Sequence, residues 1–172
     1  MTDRADDITI RLAEAKDMVA IADMSMQALA YSERPMGPDD GMAPEAYIAK
    51  MTADGPGGLN LCGFILAEKN NQLVGFLQFT QGYDIKYPGP TAKLEEIFVI
   101  PDLRRQKIGL RLMIIFAKFA EDIGWQAIHW NVGRLDIDAR VFFDVLMEDS
   151  FKLHRLNYSI EGDEIGAMAA RG

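Results

Sequence analysis

Apolar positions follow two rhythms along this chain, one of period two and one near 3.6, and the changes of rhythm mark the elements. Residues 8–11 read as a short strand. From 16 to 31, Met18, Ile21, Ala22, Ala28 and Leu29 recur at helical spacing, and Ser25 is small enough to pack on the same face. The stretch 32–41 holds Pro35, Gly37, Pro38 and two aspartates, so a loop is expected. A second short helix is predicted over 44–51, and Gly55-Pro56-Gly57-Gly58 breaks the chain after it. Residues 61–68 and 73–81 are strand-like, and the polar Lys69-Asn70-Asn71-Gln72 between them reads as a hairpin turn. A loop is expected over 82–90 and a strand over 94–100, which Pro101 ends. Residues 109–123 have the length of a helix, with Gly124 as its C-terminal stop. A strand over 127–132, a helix over 138–148 and a last strand over 157–160 complete the reading.

The predicted order is therefore β-α-α-β-β-β-α-β-α-β. Hairpin-connected strands followed by β-α-β units imply an α/β fold. It is a mixed, mostly antiparallel sheet of six to seven strands with helices on both faces. The helix over 109–123 carries Leu110, Leu112, Met113, Ile114, Ile115, Phe116, Phe119 and Ile123, and its polar stripe of Arg111, Lys118 and Asp122 is narrow. Such a helix is expected to be buried on most sides, in the core or in a subunit interface, which hints at a homodimer. No internal repeat or interdomain linker is visible, and 172 residues fit one domain spanning 1–172.

Composition narrows the function classes. No apolar run approaches the roughly 20 residues a membrane span needs. The N-terminus, Met-Thr-Asp-Arg-Ala-Asp-Asp, is too acidic for a secretory signal, so the expectation is a soluble cytoplasmic protein. Eighteen basic and twenty-six acidic residues leave a formal charge of −8, which disfavours nucleic acid and anionic membranes as partners and attracts amines. The single cysteine, Cys62, lies in an apolar stretch and reads as a buried structural thiol. No metal site is suggested.

Against this acidic background, Arg104, Arg105, Lys107 and Arg111 place four cations within eight residues. They lie between the strand over 94–100 and the apolar helix. A strand-loop-helix unit aims the free N–H groups of the first helical turn into the loop, where the helix dipole adds to them. Gly109 removes a side chain where backbone meets ligand. A pyrophosphate would fit; a solvated basic turn paired with carboxylates would carry the same charges. The spacing lacks the Gly-Lys-Ser/Thr ending of a nucleotide-triphosphate loop and the glycines of a dinucleotide fold.

Residues 94–112 resemble motif A of the GNAT superfamily of acetyl-CoA-dependent N-acetyltransferases: a strand, a turn, then Arg/Gln-x-x-Gly-x-Gly/Ala. Arg104 matches its first position, Ile108 the apolar residue and Gly109 the last. Residues 128–151 are similar to the family's following strand and helix, with Asp136, Ala139, Phe142 and Phe143 in the pattern and Ser150-Phe151 at its end. Leu94-Glu95-Glu96 and Trp130-Asn131 look most like the small-molecule amine acetyltransferases. Three positions depart from the family: Lys107 replaces a glycine, Phe143 a tyrosine that commonly protonates the leaving thiolate, and Asp136 an asparagine.

The resemblance implies direct transfer of an acetyl group from acetyl-CoA to a primary amine. It assigns the pyrophosphate to Arg104, Arg105, Gln106, Lys107, Ile108, Gly109 and Leu110. Backbone groups of Ile97, Phe98 and Val99 would hold the pantetheine arm and the acetyl carbonyl, and Asp136 and Phe143 would complete the cofactor site. The candidate bases are Glu96 and, on the neighbouring strand, His129. Glu95 and Glu96 are adjacent in one strand, so they are expected on opposite faces. Glu96 also reads as a strand-edge carboxylate in a salt bridge, and His129 as a structural histidine. A non-catalytic acyl-CoA-binding or regulatory protein, favoured by Phe143 and Lys107, and an acetylase of protein amines are the rival readings.

Overall fold

The computed structural model describes residues 2–5, 7–31, 42–133 and 136–147. Its elements in chain order are β1 (Thr2–Ala5), β2 (Ile8–Leu12), α1 (Met18–Tyr31), α2 (Pro44–Asp54), β3 (Gly63–Lys69), β4 (Gln72–Asp84), β5 (Tyr87–Val99), α3 (Ile108–Asp122), β6 (Ile128–Trp130) and α4 (Ile137–Met147). One 3-10 turn, Ala15–Asp17, leads into α1, and another, Pro101–Leu103, follows β5. The six strands form one sheet in sequential order, antiparallel throughout except that β5 and β6 run parallel. The mixed, mostly antiparallel sheet is thus as expected. Described residues up to Asn131 form one compact unit; those from Val132 onward belong to a second.

Strand alternation decides the core. Phe64, Leu66, Phe76 and Phe98 project to one face, where Met18, Ile21, Met24 and Ala28 of α1 cover them. Phe79 projects to the other face and stacks on Phe116 of α3, with ring centroids 5.1 Å apart, and Trp125 closes on both. Helices therefore cover both faces. In α3, Ile108, Leu112, Met113, Ile115, Phe116 and Ala120 are buried, whereas Ile114 and, just past the helix, Ile123 remain exposed. Arg11 on β2 ties β2 to β3 and to the turn before α1: its guanidinium donates to both Asp17 oxygens (2.7 and 2.9 Å) and both Glu68 oxygens (2.6 and 3.1 Å).

Several local expectations change. The polar N-terminus forms β1, which among the described residues is an edge strand paired with β2 alone. The first hairpin turns on Asn70 and Asn71 alone, both with positive φ (51° and 62°), the geometry that matches strand twist in a two-residue turn. Residues 82–90, expected as a loop, are mostly strand: β4 runs to Asp84 and β5 begins at Tyr87, with Ile85-Lys86 as the turn. Pro88 and Pro90 are tolerated because, among the described residues, no strand flanks that part of β5 opposite β4, so a missing N–H can face outward. The predicted strand over 157–160 lies outside the described residues.

Candidate active site

The site is built where β5 leaves its partner. Pairing of β5 with β6 ends at Leu94↔Trp130, yet β5 continues to Val99. Over Glu95–Val99 its outer edge therefore has no strand beside it among the described residues. Past Glu96, backbone groups on that edge other than the Val99 carbonyl, which accepts from Arg104 Nε at 3.0 Å, could receive an extended ligand as an added strand.

At the point of separation the register slips. Gln78 pairs with Glu96, but the next residue of β4, Phe79, pairs with Leu94. Glu95 is the extra residue, a β-bulge. This bulge corrects the expectation that Glu95 and Glu96 face opposite ways. Glu96 sits directly across from Gln78. Glu95 accepts a hydrogen bond from the Thr80 hydroxyl at 2.8 Å, and Thr80 shares a face with Gln78. Both carboxylates consequently lie on the face that α1 covers further along the strand; Glu96 is exposed, and the Glu95 side chain is partly covered. Lys93 binds the second oxygen of Glu95 at 2.6 Å, so Glu95 is engaged on both sides. His129 is paired with Lys93 across the β5–β6 ladder and is half-buried.

Beyond Val99 the chain passes through the Pro101–Leu103 turn into the basic loop. Arg105 and Lys107 both take left-handed backbone conformations, with φ of 61° and 62°. Lys107 is the N-cap of α3, no side chain caps this helix end, and its first turn carries no acidic residue. The first intrahelical bond is Arg111 N–H to Lys107 O, which leaves the N–H groups of Ile108, Gly109 and Leu110 directed out of the helix end. Arg105, Gln106 and Lys107 are exposed around it. The left-handed turn at Lys107 gives a physical reason for the glycine of the family pattern: glycine adopts that conformation at no steric cost.

Arg104 behaves differently from its neighbours. It is half-buried, its Nε donates to Val99 O at 3.0 Å, and its guanidinium carbon lies 4.2 Å from the centre of the Tyr31 ring. In the second unit, Asp136 caps α4: its Oδ1 accepts from Ala139 N–H at 2.9 Å. Phe143 is buried on α4 and meets Phe142 edge-on. Cys62 is half-buried next to Gln78, and burial pushes its thiol up, away from thiolate. Sequence reasoning missed the bulge at Glu95 and the Tyr31–Arg104 contact; neither leaves a pattern within its own segment. Among the described residues no cluster of three or more His, Cys, Asp or Glu could hold a metal, and no helix is long and apolar enough to cross a membrane.

The sequence profile of the acetyltransferase (GNAT) family matches residues 26–145. The chain belongs to this family. Solved structures agree on the fold. An integron cassette protein from the mobile metagenome of V. cholerae superposes with a TM-score of 0.80 at 16% identity, over 96% of this chain and 99% of that one. The ribosomal-protein-alanine N-acetyltransferase from Brucella melitensis biovar Abortus 2308 gives 0.71 at 19% identity, over 90% and 99%. An aminoglycoside N-acetyltransferase in complex with CoA gives 0.69 at 14% identity, over 94% and 99%. No curated protein matches the sequence.

Proposed function

We propose that this GNAT acetyltransferase moves an acetyl group from acetyl-CoA to a primary amine of a small molecule by direct transfer. One observation carries the reading. The edge of β5 over residues 97–99, which no strand flanks among the described residues, leads, within one short turn, to an uncapped helix N-terminus flanked by Arg105 and Lys107. A ligand with a thin, amide-bearing arm and a pyrophosphate needs that combination, and acetyl-CoA has both. The pyrophosphate would sit on the N–H groups of residues 108–110, with Arg105, Gln106 and Lys107 supplying side-chain donors and charge. Of Ile97, Phe98 and Val99, assigned to the arm and the acetyl carbonyl, Phe98 turns its carbonyl toward β4 and Val99 uses its own to accept from Arg104 Nε, which leaves Ile97 and the Val99 N–H for that role.

The amine must lose a proton as it attacks, and Glu96 is the assigned base, acting directly or through one water. It stands on the exposed face just past the bulge, next to where the acetyl group would lie. His129 is the second assignment for that role. Phe143 cannot donate a proton to the departing thiolate. The step tolerates this, because a thiol with a pKa of about 8.5 leaves readily as the anion. The acidic surface, −8 overall, favours a cationic acceptor. Both an aminoglycoside acetylase and an acetylase of protein alanine share the fold, so the acceptor is decided by assay.

The test is thiol release from acetyl-CoA against a panel of polyamines, aminoglycosides and peptide N-termini. Turnover with small cationic amines, lost in Glu96→Gln while acetyl-CoA affinity is kept, is the expected result. Turnover with peptides alone would contradict the acceptor class. Binding of acetyl-CoA with no release for any amine would leave a non-catalytic acyl-CoA-binding protein.

A further inference from the structure

We infer that Tyr31, at the end of α1, is a positioning residue for the cofactor loop and acts through Arg104. The inference rests on the acetyl-CoA reading of that loop. A cation opening a phosphate-binding segment is expected to face the phosphate. Arg104 instead turns back. Its Nε is spent on the Val99 carbonyl at 3.0 Å, the last residue of β5. Its guanidinium lies over the Tyr31 ring at 4.2 Å and near the Phe98 ring at 5.7 Å. Tyr31 and Phe98 meet edge-on, with centroids 6.4 Å apart, so the three side chains form one contact. Phe98 is fixed in the core, whereas Tyr31 is 57% exposed. Tyr31 contributes little burial of its own.

The arrangement ties three segments at one point: the end of α1, the end of β5 and the first residue of the loop. Directly after Arg104 the backbone enters the left-handed conformation at Arg105 and again at Lys107. Non-glycine residues hold such conformations only when their surroundings enforce them. The Arg104 clamp fixes the start of this strained stretch, and the Tyr31 ring fixes the clamp through its π face. Tyr31 therefore tunes how well the loop's N–H groups are aimed without meeting the ligand.

The experiment is calorimetric titration of the full chain with acetyl-CoA for the parent, Tyr31→Phe, Tyr31→Leu, Arg104→Met and the double variant Tyr31→Leu/Arg104→Met, each checked by thermal unfolding. Tyr31→Leu is expected to weaken acetyl-CoA binding by about three- to tenfold. Its melting temperature and its KM for the amine should stay near the parent's. Tyr31→Phe, which keeps the π face, should bind within twofold of the parent. In the Arg104→Met background, Tyr31→Leu should add no further loss, since the pair acts as a unit. A folded Tyr31→Leu protein with parental affinity, or losses that simply add in the double variant, would overturn the inference. A parent that binds no acetyl-CoA overturns the cofactor reading itself, and the positioning role with it.

Discussion

Gly75 offers the most direct check on how the sheet supports the cofactor edge. It lies in β4 directly across from Val99. A Cβ at this position would come within 2.7 Å of Phe98 O, 3.2 Å of Val99 Cγ2 and 3.4 Å of Val99 Cα. The first of these atoms is backbone and cannot rotate away, so β5 must move by roughly half an ångström over the residues assigned to the acetyl carbonyl. Overpacking of this kind costs about 1–3 kcal/mol. For a chain of this size, that lowers the melting temperature by about 2–4 °C per kcal/mol. Gly82, in the same strand, is the internal control. Its Cβ would meet only Thr91 Oγ1, at an ordinary 3.5 Å. Alanine there should be neutral or slightly stabilising, because glycine weakens a strand interior. Urea unfolding of Gly75→Ala and Gly82→Ala, with acetyl-CoA titration of each, reads out both effects. The reasoning predicts a gap of about 2 kcal/mol between the two variants and weaker acetyl-CoA binding only for Gly75→Ala. Equal stability and equal affinity would refute the close approach of β4 to the end of β5.

Other perturbations address separate parts of the account. Arg11→Met leaves Asp17 and Glu68 without their shared cation, and since both remain only partly solvated the expected loss is about 2–3 kcal/mol in urea unfolding at pH 7. The Arg11 guanidinium holds the Asp17 carboxyl below the usual carboxylate range. Its stabilisation is therefore complete above the unfolded value of about 3.9 and disappears as pH falls through the lowered folded value. The gap between parent and Arg11→Met should narrow progressively as pH falls below about 3.9, and a gap that stays constant down to about pH 2 would count against the ion pair. Lys107→Gly relieves the left-handed strain but adds unfolded-state freedom, so stability should change by less than about 1 kcal/mol. Affinity should then report the ammonium alone: weaker acetyl-CoA binding, with a shallower salt dependence, if Lys107 contacts the pyrophosphate. Glu96→Gln should cut turnover sharply while titration with acetyl-CoA is unchanged; normal turnover hands the proton to His129 or water.

Much of the site was legible because its signals are local. Pro101 stops β5, the apolar run from Ile108 marks α3, and Gly124, with φ of 76°, ends it where expected. The basic cluster was visible as charge against an acidic chain. What escaped depended on partners distant in sequence. The bulge at Glu95 is a property of the register with β4, and no residue in 94–100 announces it. Because the slip carries both glutamates to one face, simple alternation gave the wrong relation between them. Arg104 looked like a phosphate ligand by its position in the loop, while its nearest ring, Tyr31, lies on a helix more than seventy residues earlier. Residues 82–90 looked like a loop because Gly82, Pro88, Gly89 and Pro90 each disfavour a central strand. A ribbon flanked by a strand on one side only does not impose that restriction.

The central claim is that the edge of β5 and the uncapped end of α3 together bind acetyl-CoA. Its most direct measurement is calorimetric titration of the purified chain with acetyl-CoA, with ATP and NAD as controls and Arg105→Ala as the loop variant. The account predicts saturable binding of acetyl-CoA alone, weakened in Arg105→Ala without loss of folding. Absence of binding, or equal binding of all three nucleotides, would contradict it.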